Sequence, residues 1–144
     1  MNEAGKLVYL ASPYTHLNHA VREARFVEAC FFNGWVMNHQ PGIFFYSPIV
    51  HCHPISMRCE LPGEWEFWAS FDECLISRCQ ELWILCIPGW TKSTGVKAER
   101  KIAEKFGIPI RFVVLHPEFP IDDKYRYEMT NTEPEDTYVA QHFS

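Results

Sequence analysis

Four short, nearly unbroken apolar runs constrain this chain more than any other feature: LVYLA at residues 7–11, IFFYS at 43–47, ELWILCI at 81–87 and PIRFVVL at 109–115. Runs of this length, closed by Ser12-Pro13, Pro48, Pro88-Gly89 and His116-Pro117, read as strands buried on both faces. Between them lie stretches with helical spacing. Residues 16–34 carry Ala20, Ala24, Val27 and Phe31 and stop at Asn33-Gly34. Residues 64–79 place Trp68, Phe71, Leu75 and Cys79 on one face, and residues 95–106 place Val96, Ala103 and Phe106 inward, with Gly107 past the end. Residues 48–63, rich in Pro, His and Cys, read as a long loop, a length usually tied to function. Strands alternating with helices mean right-handed crossovers and a mainly parallel sheet of four to five strands, covered on both faces: a three-layer α/β sandwich.

The chain has 144 residues, enough for one domain with a core of its own. With 47% apolar and 22% charged residues it is neither disordered nor coiled coil. No apolar run approaches the ~20 residues of a membrane span, and the first six residues lack the order of a secretory signal, so the expected location is cytoplasmic. Residues 117–144 hold seven acids against Lys124 and Arg126, which accounts for the whole formal charge of −5. The expected division is an α/β body over residues 1–116 and an acidic tail over 117–144 that partly orders against the body or packs at a subunit interface. A neutral body with an acidic tail is a poor partner for duplex nucleic acid, whereas a small anion held by local donors is compatible with it.

None of the six cysteines is spaced as C-x-x-C, and most sit in apolar runs as small core residues. His51, Cys52, His53 and Cys59 form the one cluster with zinc-ligand chemistry, but adjacent side chains on an extended strand-to-loop passage point opposite ways and do not converge on one ion. No metal and no cofactor is expected.

Ligands of such sheets bind beyond the carboxyl ends of the strands. Ser12-Pro13-Tyr14-Thr15 follows the first strand there, and residues 88–95 follow the third. The second segment lacks the G-x-x-x-x-G-K-[ST] pattern, and no G-x-G-x-x-G occurs anywhere, which weakens ATPase and dinucleotide readings. Ser93, Thr94 and Gly95 nevertheless open a helix whose free N–H groups attract an anion. Glu99, expected at the exposed start of that helix, either complements the dipole or does chemistry. Asp72 lies beside an apolar face where solvated carboxylates are not expected, and it either caps a neighbouring segment or is catalytic.

Tyr9-Leu10-Ala11-Ser12-Pro13, Asp72 and the string Ser93-x-Gly95-Val96-x-x-Glu99 together resemble the nucleoside 2-deoxyribosyltransferase superfamily, which includes deoxynucleoside 5′-monophosphate N-glycosidases; the resemblance covers about residues 7–115 and is nearest to phage-type members. It implies a Rossmann-like fold and a covalent mechanism in which Glu99 attacks C1′ of a (deoxy)ribose, Tyr9 orients Glu99, Asp72 handles the proton of the departing base, and the helix start keeps Glu99 ionised. Free-nucleoside transferases carry an acid six residues before the Glu. Ser93 stands there instead, and with Gly95 it resembles the monophosphate hydrolases. Arg25, and less directly Arg22, would supply positive charge. Many members carry Asp where this chain has Gln80.

Ser12, Tyr14, Trp68 and Trp90 are further candidates for substrate binding, with Trp65 and Phe45 either joining a stacking slot for the base or filling the core. The leading expectation is cleavage of a nucleotide N-glycosidic bond. The alternatives are base exchange on free nucleosides, a non-catalytic nucleotide-binding or sequestering module, and a zinc protein built on His51, His53 and Cys59. A homodimer or higher homo-oligomer is expected, because a short sheet leaves the ligand edge open and the tail aromatics Tyr125, Tyr127, Tyr138 and Phe143 have no evident core of their own.

Overall fold

The structure, a computed structural model, describes residues 5–136. Tyr138 and Phe143 lie outside the described residues. The elements in order are β1 (Lys6–Ala11), α1 (His19–His39), β2 (Ile43–Tyr46), α2 (Pro48–Cys59), α3 (Trp65–Ile76), β3 (Glu81–Leu85), a short 3₁₀ turn (Trp90–Lys92), α4 (Thr94–Lys105), β4 (Ile110–Leu115) and β5 (Tyr127–Thr130). The sheet runs β2-β1-β3-β4-β5, parallel except for β5, which pairs antiparallel with β4. This is a Rossmann-like α/β sandwich, and chain order reverses between β1 and β3, where ligands of doubly wound sheets bind.

Alternation along β1 sets the two layers. Val8 and Leu10 face α1, packing with Phe32, Trp35, Val36 and Tyr127. Tyr9 and Ala11 face α3 and α4, packing with Ile76, Val96, Ala103 and Trp90. Register carries this into β2: Val8 pairs with Phe45 and Tyr9 with Tyr46. Phe45 therefore packs edge-on against Phe32 and Trp83 in the core on the α1 side of the sheet, and Tyr46 lies on the other side, against Tyr9.

Several boundaries differ from expectation. Helix α1 starts later than residue 16, because the Asn18 side chain caps it by accepting from Ala20 N at 2.8 Å. It also runs through Asn33-Gly34, since Trp35 and Val36 continue the buried stripe, and their burial outweighs the ~1 kcal/mol cost of an interior glycine. The expected loop at 48–63 is largely helix α2. Ser47 caps it, Pro48 occupies a first-turn position that needs no donor, and packing of Cys52 and His53 holds it despite Pro54 inside. On α3 the buried residues are Asp72 and Ile76, while Phe71 is exposed; on α4, Phe106 is exposed rather than inward.

The acidic segment after residue 116 is not separate from the body through its described part. It supplies β5, and Tyr127 sits in the core against Phe32 and Trp35. Asp136 accepts from Gly89 N, Thr91 N and Thr91 Oγ1, tying the segment to the loop after β3. No helix among the described residues is long and apolar enough to cross a membrane.

Candidate active site

A cleft of about 870 Å³ opens at the carboxyl ends of β1 and β3. Its wall takes Ser12, Tyr14 and Thr15 after β1, His53 and Met57 from α2, Trp65, Trp68 and Asp72 from α3, and Gly89, Lys92, Ser93, Gly95 and Glu99 from the loop and helix after β3. Arg22 and Arg25 reach it from α1.

Glu99 is not at an exposed helix start. It shares the inward stripe of α4 with Val96 and Ala103, at i−3 and i+4, and is only 4% exposed. The Tyr9 hydroxyl donates to Glu99 Oε2. Asp72, 5% exposed, completes the group, and its Oδ1 has no hydrogen-bond partner among the described residues. Ser12 Oγ is likewise buried and unpartnered in the cleft wall. Two unsatisfied polar atoms at the base of a cleft are what a polar ligand would satisfy.

The electrostatics follow from this crowding. Burial, then the nearby Asp72 charge, push the Glu99 carboxyl well above the ordinary value, with the Tyr9 hydrogen bond pulling the other way. Burial lifts Asp72 to about 6, and Tyr9 again opposes it. Burial and both carboxylates hold the Tyr9 phenol well above its ordinary value, so it remains a donor. Glu99 lies beyond the first turn of α4, where the dipole fades, so the helix start does not by itself keep it ionised. Two carboxyls this buried and this close titrate as a pair, and both are shifted toward the protonated form.

The start of α4 stands beside this group. Ser93 Oγ caps the helix by accepting from Val96 N at 3.2 Å, which leaves its hydroxyl hydrogen free to donate. A Cβ on Gly95 would lie 4.0 Å from Glu99 Oε1, inside the space a ligand needs next to that oxygen. Arg25 Nη1 donates to Thr15 O at 2.9 Å, and Arg22 Nη2 meets His19 Nδ1 at 2.7 Å, placing guanidinium groups along one wall.

Of the aromatic candidates, Tyr14, Trp65 and Trp68 line the cleft, and Trp68 Nε1 donates to Pro62 O. Trp90 does not: it is 1% exposed, and its ring packs on Phe112 beneath α4. The loop it was expected to occupy is a 3₁₀ turn that folds the indole inward. His51 Nδ1 pairs with Ser47 O, and both nitrogens of His53 are engaged by Tyr14 and Glu23. Among the described residues no group of three or more His, Cys, Asp and Glu side chains could hold a metal ion. Gln80 accepts from Leu7 N and donates from its own backbone to Leu7 O, so it extends the pairing of β1 with β3 just before β3 begins. Sequence reasoning missed the role of His53, because residues 48–63 read as a loop.

Curated proteins offer no match to the chain. Residues 6–114, which run from β1 into β4 and include every cleft-lining residue, match the family described as a domain of unknown function, DUF1937, and the chain belongs to that family.

Proposed function

We propose that this protein cleaves the N-glycosidic bond of a (deoxy)nucleoside 5′-monophosphate through a covalent glycosyl-Glu99 intermediate. The observation that carries the reading is the buried trio: Glu99 held by the Tyr9 hydroxyl, with Asp72 beside it, at the base of a cleft of nucleotide-accommodating size. The proton that two neighbouring carboxyls share belongs to the pair, and its placement on Asp72, with Glu99 ionised against the Tyr9 hydroxyl, is the form the chemistry uses. Glu99 attacks C1′ as the C1′–N bond breaks, and the proton of Asp72 passes to the departing base nitrogen. Water then adds to C1′, returns a proton to Asp72, and frees Glu99 and the sugar phosphate. The Ser93 hydroxyl and the first N–H groups of α4 suit a 5′-phosphate, and Arg22 and Arg25 add positive charge to the cleft from α1.

Incubation with a panel of nucleosides and 5′-monophosphates, followed by chromatography of free base, tests the reading. Base release from monophosphates that disappears in Glu99→Gln is expected; release unchanged in that variant overturns the nucleophile, and base exchange confined to free nucleosides makes the protein a transferase. We further infer a two-fold dimer, supported by the exposed Ile55, Met57, Phe67 and Phe71 on α2 and α3. A sedimentation mass near 16.9 kDa at micromolar protein would overturn it.

A further inference from the structure

His53 makes a set of contacts that the chemistry of Glu99 does not call on. Its ring is 8% exposed, stacks on Phe26 with centroids 4.2 Å apart, and meets the Tyr14 ring edge-on. Nε2 lies 3.1 Å from Glu23 Oε2, and Nδ1 lies 2.5 Å from the Tyr14 hydroxyl. Tyr14 and His53 both line the cleft, with the Arg22 guanidinium among the groups whose charge Tyr14 feels.

The direction of each hydrogen bond follows from the chemistry of the partners. A carboxylate only accepts, so Nε2 carries a proton toward Glu23, and the tautomer with that single proton leaves Nδ1 as the acceptor. The Tyr14 hydroxyl hydrogen is thereby spent on Nδ1. Burial also raises the Tyr14 phenol, so the group stays protonated. What Tyr14 can still offer the cleft is lone pairs. Asp72 and Glu99 surround the position of C1′ and the start of α4 suits the 5′-phosphate, so the wall carrying Tyr14, His53, Trp65 and Trp68 is left for the base.

Building on that nucleotide reading, we propose that the Glu23–His53–Tyr14 chain fixes Tyr14 as a hydrogen-bond acceptor that reads an exocyclic amino group, selecting amino-bearing bases over bases that present a carbonyl at the same place. A carbonyl facing the oriented Tyr14 would set two acceptors against each other with no proton between them, a mismatch that sites built on hydrogen bonds reject strongly. Tyr14 and His53 are thus specificity-determining and positioning residues, respectively.

The test compares 2′-deoxycytidine with 2′-deoxyuridine 5′-monophosphate, and 2′-deoxyadenosine with 2′-deoxyinosine 5′-monophosphate, by base release and by calorimetric binding. The wild-type protein should favour the amino member of the pair it accepts by tenfold or more. Tyr14→Phe should bring the ratio within threefold of unity. Glu23→Gln, on an exposed side chain, replaces an obligate acceptor with an amide that can donate to Nε2 as readily as accept from it, which makes available the tautomer in which Nδ1–H donates to Tyr14 and frees its hydroxyl; the ratio should fall toward parity, and an unchanged ratio overturns the positioning role of His53. A merely structural role for His53 would not move that ratio. Equal handling of both members by the wild type, or a preference unchanged in Tyr14→Phe, overturns the proposal and leaves Glu99-dependent base release standing. A pairwise binding preference without base release from any compound overturns the glycosidase reading and leaves the acceptor standing, and no binding of any member overturns both.

Discussion

The hydroxyl of Tyr9, fully buried at the centre of the sheet, donates to Glu99 Oε2 on a helix 90 positions further along the chain. This bond ties the central strand to α4 and aims the carboxylate back toward the start of its own helix, beside Gly95. Because it favours the ionised form of Glu99, its removal has a predictable sign. Tyr9→Phe should lower turnover by about 10- to 100-fold and move the acid limb of the pH–rate profile to higher pH. An unshifted limb would mean that the bond only packs the core.

Glu99→Gln should abolish base release and also stabilise the fold. A carboxyl whose folded pKa lies above its unfolded value of ~4.3 contributes stability that is present below that value and lost as pH rises through the folded pKa. The amide does not titrate, so the variant should melt higher than wild type at pH 8, by about 2–4 °C for each kcal/mol of relieved strain, with the gap closing near pH 4. A variant less stable than wild type at pH 8 would show that the charge is better accommodated than its burial indicates.

Asp72→Asn should reduce turnover far more than affinity, since the amide keeps the shape but carries no transferable proton. The wild-type rate should show two limbs belonging to the coupled pair, with Asp72 contributing near pH 6. The variant has one carboxyl left and should show one. Unchanged turnover with a large rise in KM would make Asp72 a binding residue instead.

Ser93→Asp should preserve α4, because Asp caps a helix as well as Ser does. It should nonetheless erase or reverse a preference for monophosphates over nucleosides, since a charge at ~4 Å costs about 1–4 kcal/mol in a partly solvated site. Competition between a nucleoside and its monophosphate in one reaction gives the ratio directly, and an unaltered ratio would remove the phosphate from the start of α4.

Strand content, the alternation with helices, the parallel sheet and the edge where the cleft opens were all legible in the amino-acid sequence, because each depends on local apolar patterning and on the handedness of short connections. Asp72 and Ser93 are readable from local pattern, one beside an apolar face and the other at a helix start, whereas Tyr9 enters through the resemblance to a known family and the burial of Glu99 is not readable from its place near that helix start. What depended on contacts between distant segments could not be read in this way. Ser47 and the burial of Cys52 and His53 make a helix of a stretch whose composition suggests a loop. A turn of the backbone folds Trp90 into the core, and register alone sends Phe45 to one layer and Tyr46 to the other. The shift of Glu99 upward rather than downward was likewise a tertiary outcome, because desolvation and the Asp72 charge arise only when α3, α4 and β1 close on one another and exclude water.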